Sequence, residues 1–470
     1  MRNLGRRSFL HALGAALGSS LVGCATPSED DAASASAATT ERRLPAGAPI
    51  VVLGAGISGL SAARRLKDRG YANVVVLEAR SRIGGRMCTD RSLGMPFDLG
   101  AAWVHYATAS NPLVGLLANA GVETRRTGWD ELTLYDAERG AISSSDRDAA
   151  ESDYEAILNQ VARAVRATTP ARSLASVLDP LVEAKFAGAD RSRLASWLRG
   201  FYIENEYAAD AAEITAWEFN DYDKRAHAEN DRFVSGGYDR MLAALASGLD
   251  VRLGEVCRRV RTTSAGVTVE TDGGVHEAAA VVVTLPVGVL RSGSITFEPG
   301  LPDAKQRAID ALGVGDFEKV VMLFDRVRWP ARPHAFGFAS SAQGVSPLLV
   351  NAQVAAGVPA IVGMFSGQAA RDVSSSSDET LAARVLGQLR TMFGPSLPAP
   401  LRMLRTKWHD DPFARGAYTY PATPQHDACV EALASSVDHR LFFAGEATDS
   451  KSYSYAHGAY ASGIRAANEL

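Results

Sequence analysis

Six consecutive residues could do one specific piece of chemistry. Gly54-Ala55-Gly56-Ile57-Ser58-Gly59 has the spacing with which backbone N–H groups cradle a pyrophosphate. Gly54 permits a tight turn, Gly56 lets the main chain approach the phosphates, and Gly59 lets a helix pack closely on a strand, with Ser58 on the same turn. Glu78 follows at the distance from which a carboxylate accepts hydrogen bonds from the ribose hydroxyls of an adenosine. Glycines punctuate many ordinary turns, so the hexad means little without the elements around it.

Those elements are present. Ile50–Leu53 reads as a strand, Leu60 to Arg69 as a helix and Val74–Leu77 as a second strand ending at Glu78. Directly behind come Arg80, the paired glycines Gly84 and Gly85, and Arg86. The glycines admit an anion to the backbone, and either arginine can lay a planar donor fork on phosphate. Further on, Pro112 to Ala120 and Asp239 to Leu249 read as helices, and residues 145–217 are helical in period. Trp129 to Tyr135, Val251 to Glu255, Val256 to Arg261 and Gly266 to Thr271 read as strands, and Val281 to Leu285 as a strand covered on both faces of a parallel sheet. A second region holds strands at Phe317–Phe324, Leu348–Val350 and Ala360–Met364 and a helix at Asp378–Met392. The chain closes with strand Leu441–Ala444, then Gly445-Glu446 and a helix from His457. The fold class expected is α/β: a discontinuous Rossmann-like dinucleotide domain (47–130, 235–294, 424–470) with an inserted α+β substrate domain (131–234, 295–423).

At 470 residues the chain suffices for two or three domain-sized units, and its net charge of -4 asks for no nucleic-acid partner. The first residues read as a targeting segment, 1–24. Arg6-Arg7 precede a mildly apolar run, His11 to Val22, too short to span a bilayer, and the pattern resembles a twin-arginine export signal of bacteria. Leu21-Val22-Gly23-Cys24 resembles a lipoprotein processing site, so membrane contact, if any, comes through a lipid on Cys24; an ordinary cleaved signal is the alternative. Residues 25–46 have a linker's composition. The other cysteines, Cys88, Cys257 and Cys429, are too scattered for a disulfide framework or a zinc site, and no metal is expected.

Beyond the glycine hexad, the run Leu77-Glu78-Ala79-Arg80-Ser81-Arg82-Ile83-Gly84-Gly85-Arg86 resembles that of the flavin-containing amine oxidases. So do Asp98-Leu99-Gly100-Ala101-Ala102-Trp103-Val104-His105, Phe317-Glu318-Lys319, Trp408 with Asp411-Pro412, Gly416-Ala417-Tyr418, and Phe443-Ala444-Gly445-Glu446-Ala447-Thr448. The likeness runs from Ile50 to Leu470. It implies FAD as cofactor: Glu78 on the ribose, Arg80 and Arg86 on the phosphates, Val256 on the adenine through its backbone, and Gly100, Ala101 and Trp103 along the flavin. Trp408 would stand beside the ring, and Glu446 would face the ribityl–pyrophosphate junction, its partners hydroxyls and N–H groups of the final helix, near Tyr455 and Ala456. Ala417 stands where monoamine oxidases carry the cysteine that bonds to FAD, so non-covalent binding is expected.

The same resemblance implies the catalytic groups. A lysine at a strand end ordinarily snorkels to solvent; here Lys319 would hold a water against the flavin and assist its reaction with oxygen. Tyr418 and Tyr455 would form an aromatic sandwich that receives the amine. Trp103-Val104-His105 resembles the W-x-H of polyamine oxidases, which makes His105 a specificity residue. Glu204, Glu206 and Asp210 lie in a stretch resembling the acidic wall of their substrate tunnel, candidates for the distal amine; a solvated helix face is the alternative. The expectation is an exported FAD-dependent amine oxidase, of polyamine-oxidase type, turning an amine and oxygen into an imine or aldehyde and hydrogen peroxide. An L-amino-acid oxidase and an inactive flavin-binding protein are the rivals.

Overall fold

Short runs of β-branched residues without polar alternation must be buried on both faces, and they make the first sheet. The computed structural model describes residues 44–129, 131–166, 172–219, 230–342 and 344–470; the expected export signal, Cys24 and most of the linker lie outside the described residues. β1 (Ile50–Leu53) is the centre of five parallel strands. β2 (Val74–Glu78) and then Asp250–Leu253 lie to one side, Ala280–Val283 and then Leu441–Phe443 to the other. The register sets Leu53 beside both Leu77 and Val283, and Val283 beside Phe443. Strand ends from three separated parts of the sequence therefore meet at one edge of the sheet, where a ligand crevice forms in open α/β folds.

α1 (Ile57–Asp68) and the last helix, Ala456–Glu469, share a hydrophobic core on one face of this sheet. The other face carries the sheet Gly274–Ala278, Val267–Thr271, Cys257–Thr262 and Thr296–Glu298, with helices Asp303–Ala311 and His426–Ala434. A second, seven-stranded sheet runs in the order Arg402–Arg405, Phe317–Leu323, Ala360–Ser366, Leu348–Asn351, Ala335–Ala339, Leu132–Asp136, Gly140–Ala141. It is sandwiched between helices Ser144–Arg166, Leu174–Lys185 and Ala189–Arg199 on one face and Gly367–Ser375 and Asp378–Phe393 on the other. The buried pair Arg193–Asp136, at 2.8 Å, ties the helical block to this sheet. Residues Leu44–Leu470 form one compact unit, an α/β fold with an inserted α+β part.

Several elements differ from expectation for identifiable reasons. The strand expected over Val251–Glu255 stops at Leu253, because Gly254 takes φ +78° and the Glu255 N–H turns back to the Glu78 carbonyl at 2.8 Å. The helix expected to reach Leu249 ends at Ala246, short of Gly248 at φ +70°. The helical stretch 145–217 is broken: Ala189–Arg199 runs into a π-turn, Gly200–Glu204, then Asn205–Tyr207, and ends at Ala208 with φ +55°. The strands Ala335–Ala339 and Arg402–Arg405 had no signal; one is Ala-Phe-Gly-Phe-Ala and the other, Arg-Met-Leu-Arg, is four residues long with no alternation.

Candidate active site

The turn after β1 is shaped by approaches that only glycine allows. Gly54 has φ +101°, and a Cβ on Gly59 would stand 1.9 Å from the Gly54 carbonyl oxygen, so α1 sits directly on β1. Gly56 differs: no protein atom lies within 4 Å of where its Cβ would be. α1 starts with no capping side chain and no acid in its first turn, which leaves its first N–H groups and the positive end of its dipole for an anion. Ser58 points its hydroxyl inward to Ser462 Oγ at 3.3 Å, so only its backbone can serve that anion. The Glu78 carboxylate accepts from the N–H groups of Ala55 and Arg80, each at 2.8 Å. The second glycine pair folds over the first: Gly84 N–H donates to the Ala55 carbonyl at 2.8 Å, and Gly85 follows at φ +56°. The Val256 carbonyl accepts from Asp272 N–H at 3.0 Å, just past the strand that borders β2. This donor set fits a dinucleotide with its pyrophosphate on the start of α1.

Two arginines expected on the phosphates part company. Arg80 donates through Nη1 alone to both oxygens of Asp411, at 2.8 and 2.9 Å, and lies over the Phe413 ring. Arg86 donates to the Ala417 carbonyl at 2.6 Å and to Glu446 Oε1 at 3.0 Å. Glu446, buried, also accepts from Thr419 Oγ1 (2.6 Å), Ser454 N–H (3.1 Å) and Thr419 N–H (3.3 Å). Its partners are a guanidinium, a hydroxyl and loop amides rather than the last helix, which begins after it at Ala456. Gly445, at φ +138°, has no protein atom near its Cβ position.

The segment Gly100–Trp103 is pressed against the same region. A Cβ on Gly100 would overlap the Arg86 carbonyl oxygen at 1.6 Å and lie 3.5 Å from the Trp408 ring. Ala101 N–H donates to that same carbonyl at 3.3 Å. Trp408 is buried and donates to the Leu99 carbonyl at 3.4 Å. Glu318 and Lys319 are consecutive on Phe317–Leu323 and leave opposite faces of the strand. Lys319 is 5 % exposed, its Nζ donating to the carbonyls of Gly100 (2.6 Å) and Asp98 (3.0 Å) and standing 5.4 Å from the Trp103 ring centre. Burial lowers its pKa to about 8, against the opposing pull of Asp98. A solvent-snorkelling lysine is thereby excluded.

Around Tyr455 an aromatic cluster gathers: His457 stacks on it at 5.2 Å, His105 lies 5.3 Å away and Tyr106 stands edge-on at 5.7 Å. Tyr455 donates its hydroxyl to Glu206 Oε1 at 2.7 Å, and Tyr418 donates to the Asn205 carbonyl at 2.8 Å. The π-turn before Asn205 is what presents these two acceptors side by side. Burial, and then the Glu206 charge, hold both phenols well above their ordinary pKa, so both stay neutral. His105 Nδ1 meets Asp231 Oδ2 at 2.9 Å. Burial presses the imidazole toward the neutral form, but the Asp231 hydrogen bond and charge, with Glu206, raise its pKa overall.

The three acids do not act together. Glu206 is exposed, accepts from the Tyr455 hydroxyl and acts on Tyr418 through its charge. Glu204 turns away; burial, then Asp210, push it up to about 7 although Arg199 opposes them. Asp210 is held by Arg371 at 2.8 Å and accepts from Gln368 N–H at 3.2 Å. Asp98, Asp231, Asn205 and Thr419 were given no role from the sequence; the first three act on partners more than one hundred residues away and Thr419 on one 27 residues away, and no local spacing marks such pairs.

A family model described as flavin containing amine oxidoreductase matches residues 57–470. Polyamine oxidase 2 of Arabidopsis thaliana is 35 % identical over 436 residues, spanning 89 % of this chain and 87 % of that protein. Lysine-specific histone demethylase 1 homolog 2 of the same plant is 31 % identical over 436 residues, 90 % of this chain and 58 % of that one. A solved double mutant of a putrescine oxidase, redesigned in its cofactor binding, shares the fold with TM-score 0.72 and 21 % identity, over 90 % of this chain and 98 % of the other.

Proposed function

The chain belongs to the flavin-containing amine oxidoreductases and is an amine-oxidising enzyme, and on that premise we propose that it oxidises a polyamine or similar primary or secondary amine with oxygen as acceptor. Bound FAD would supply the two-electron acceptor for a hydride from the amine's α-carbon and its reoxidation by oxygen, so that the amine would become an imine and, with water, an aldehyde, and oxygen would become hydrogen peroxide. Arg86, the start of α1 and the Gly56 turn would hold the pyrophosphate, Glu78 the ribose, and the 100–103 segment with Trp408 the ring. Ala417 offers no side-chain nucleophile, which supports non-covalent binding.

The observation that carries the substrate reading is Glu206, whose carboxylate reaches the Tyr455 hydroxyl and whose charge also acts on Tyr418 and His105. A cation between neutral aromatic faces with one carboxylate in reach is an amine's environment. Lys319 would hold a water and a positive charge toward the reacting ring, and the aromatics would orient the amine so that little further acid–base chemistry is needed. One observation favours a substrate with an anionic end: Arg125, Arg126 and His334 line a small cleft with Trp103, Trp129 and Phe233. A peroxide assay across spermine, spermidine, putrescine, monoamines and L-amino acids separates the readings. Preference for the diamine and longer amines supports ours, preference for amino acids the rival, and no peroxide from any of them an inactive flavin binder.

We also propose that the protein is exported through a twin-arginine route and is then either released after ordinary signal cleavage or anchored at the envelope by lipid on Cys24. The spacing Arg6-Arg7 to Cys24 supports this, and the mass of the mature N-terminus after cell fractionation tests it.

A further inference from the structure

Among the described residues Lys319 meets no carboxylate directly. Its Nζ is gripped by two carbonyl oxygens, and one of them belongs to Asp98. The Asp98 side chain is 7 % exposed. Its Oδ1 accepts from the Thr89 hydroxyl across the two-stranded ribbon and from Tyr238 N–H at 3.2 Å, so the residue whose carbonyl holds Lys319 is itself clamped. Among the described residues nothing donates to Oδ2, which is buried. An asparagine could satisfy the Thr89 and Tyr238 donors equally well through its amide oxygen. What asparagine lacks is the charge, and a buried charge with one oxygen unsatisfied is otherwise unfavourable.

We propose that Asp98 is a positioning residue for the oxidase reaction, aiming Lys319 through its carbonyl and keeping it an ammonium through its carboxylate. The inference rests on the amine-oxidase reading of the site. Burial raises Asp98 to about 6 while Thr89, Tyr238 N–H and Lys319 resist, and burial lowers Lys319 to about 8 while Asp98 resists. Between those values the two carry opposite charges; above the upper one Lys319 is neutral, and below the lower one Asp98 is. The other ionisable groups that face the pair are Asp239, which raises Asp98 and is itself paired with Arg91, His105 toward Lys319, Cys88 toward Asp98, and the Tyr238 phenol, which donates to the Trp103 carbonyl.

The test is a pH titration of flavin absorbance in resting holoenzyme, without substrate. The parent shows a step near 8 that Lys319→Met abolishes and one near 6 that Asp98→Asn abolishes. Asp98→Asn moves that step down by about one pH unit, as loss of a nearby opposite charge requires. Thr89→Val, which loosens the clamp but keeps the charge, leaves the step near 8 and raises the Asp98 step near 6. An Asp98→Asn step unmoved from the parent's overturns the proposal, and so does a Thr89→Val protein that reproduces the Asp98→Asn shift, since the clamp alone would then suffice. If Asp98→Asn does not fold, the two Thr89→Val steps decide alone. A parent that binds no flavin defeats the oxidase reading instead, a result seen before any variant is made.

Discussion

Gly59→Ala should disable the cofactor cradle without touching any catalytic group. A methyl at this position would lie 1.9 Å from the Gly54 carbonyl oxygen, where real Cβ atoms essentially never come within 3.0 Å, so α1 would have to retreat by about 1.1 Å. Retreat is blocked from behind. A Cβ on Gly463 of the last helix would already stand 2.1 Å from the Ser58 carbonyl, and Ser58 Oγ meets Ser462 Oγ at 3.3 Å. Overpacking costs about 1–3 kcal/mol where side chains can yield. Here both obstacles are main chain, and the expected loss is at the top of that range, about 3 kcal/mol. The start of α1 moves with the helix, and because 1.4 kcal/mol is a factor of ten in affinity, FAD binding should weaken by at least about tenfold. Thermal melts with and without FAD, and titration of the apoprotein with FAD, measure both effects. Gly387→Ala is the control: it sits on Asp378–Phe393 with nothing within 4 Å of its Cβ position, and should gain about 0.5–1 kcal/mol. A Gly59→Ala protein that melts with the parent and binds FAD as tightly refutes the reasoning.

Three further outcomes follow from named contacts. Glu206→Gln should raise KM for a diamine by about tenfold with kcat changed far less, whereas Glu204→Gln and Asp210→Asn should leave KM within about twofold, read from steady-state peroxide kinetics. Burial pushes Glu318 up to about 7, above its unfolded value, so the native state binds the extra proton and stability falls as pH rises from about 4.5 to 7. Glu318→Gln should therefore be more stable than the parent at pH 8, by about 3 kcal/mol at most, and equal to it at pH 4 in urea melts. Lys305, 1 % exposed, donates to the carbonyls of Leu433, Ser435 and Ala432 at 2.6–2.9 Å and stands 4.0 Å from the Phe443 ring centre. Lys305→Met leaves those carbonyls without their donor and should cost about 2–4 kcal/mol by denaturant unfolding.

Whatever depended on local spacing was legible in the sequence. The strand, turn and helix around Gly54–Gly59 could be read because Gly54 and Gly59 have backbone reasons, visible now as a positive φ and an overlap with a carbonyl, while Gly56 leaves open space at the turn. Val281–Val283 could be read because a strand covered on both faces must be continuously apolar. Lys319 was ambiguous on its own pattern; its burial follows from the 98–100 segment folding over it, a contact more than two hundred residues distant. Pairing between remote charges was the least legible. Nothing near Asp210 announces Arg371, and nothing near Arg80 announces Asp411, so neither ion pair could be read from local spacing. The π-turn at Gly200–Glu204 was equally hidden, although Gly200 is needed there: a Cβ would strike Pro347 at 2.8 Å. That turn separates Glu204 from Glu206 in role.

The central claim is that the chain holds FAD, non-covalently, in front of Lys319 and the two tyrosines, for the oxidation of an amine. The most direct measurement is anaerobic addition of putrescine, spermidine or spermine to the purified protein, followed by denaturation and a count of flavin in the supernatant. The account predicts a yellow protein that bleaches with amine, recolours with air and releases about one FAD per chain. A colourless protein after expression with ample riboflavin, or a flavin that stays with the precipitated polypeptide, would contradict it.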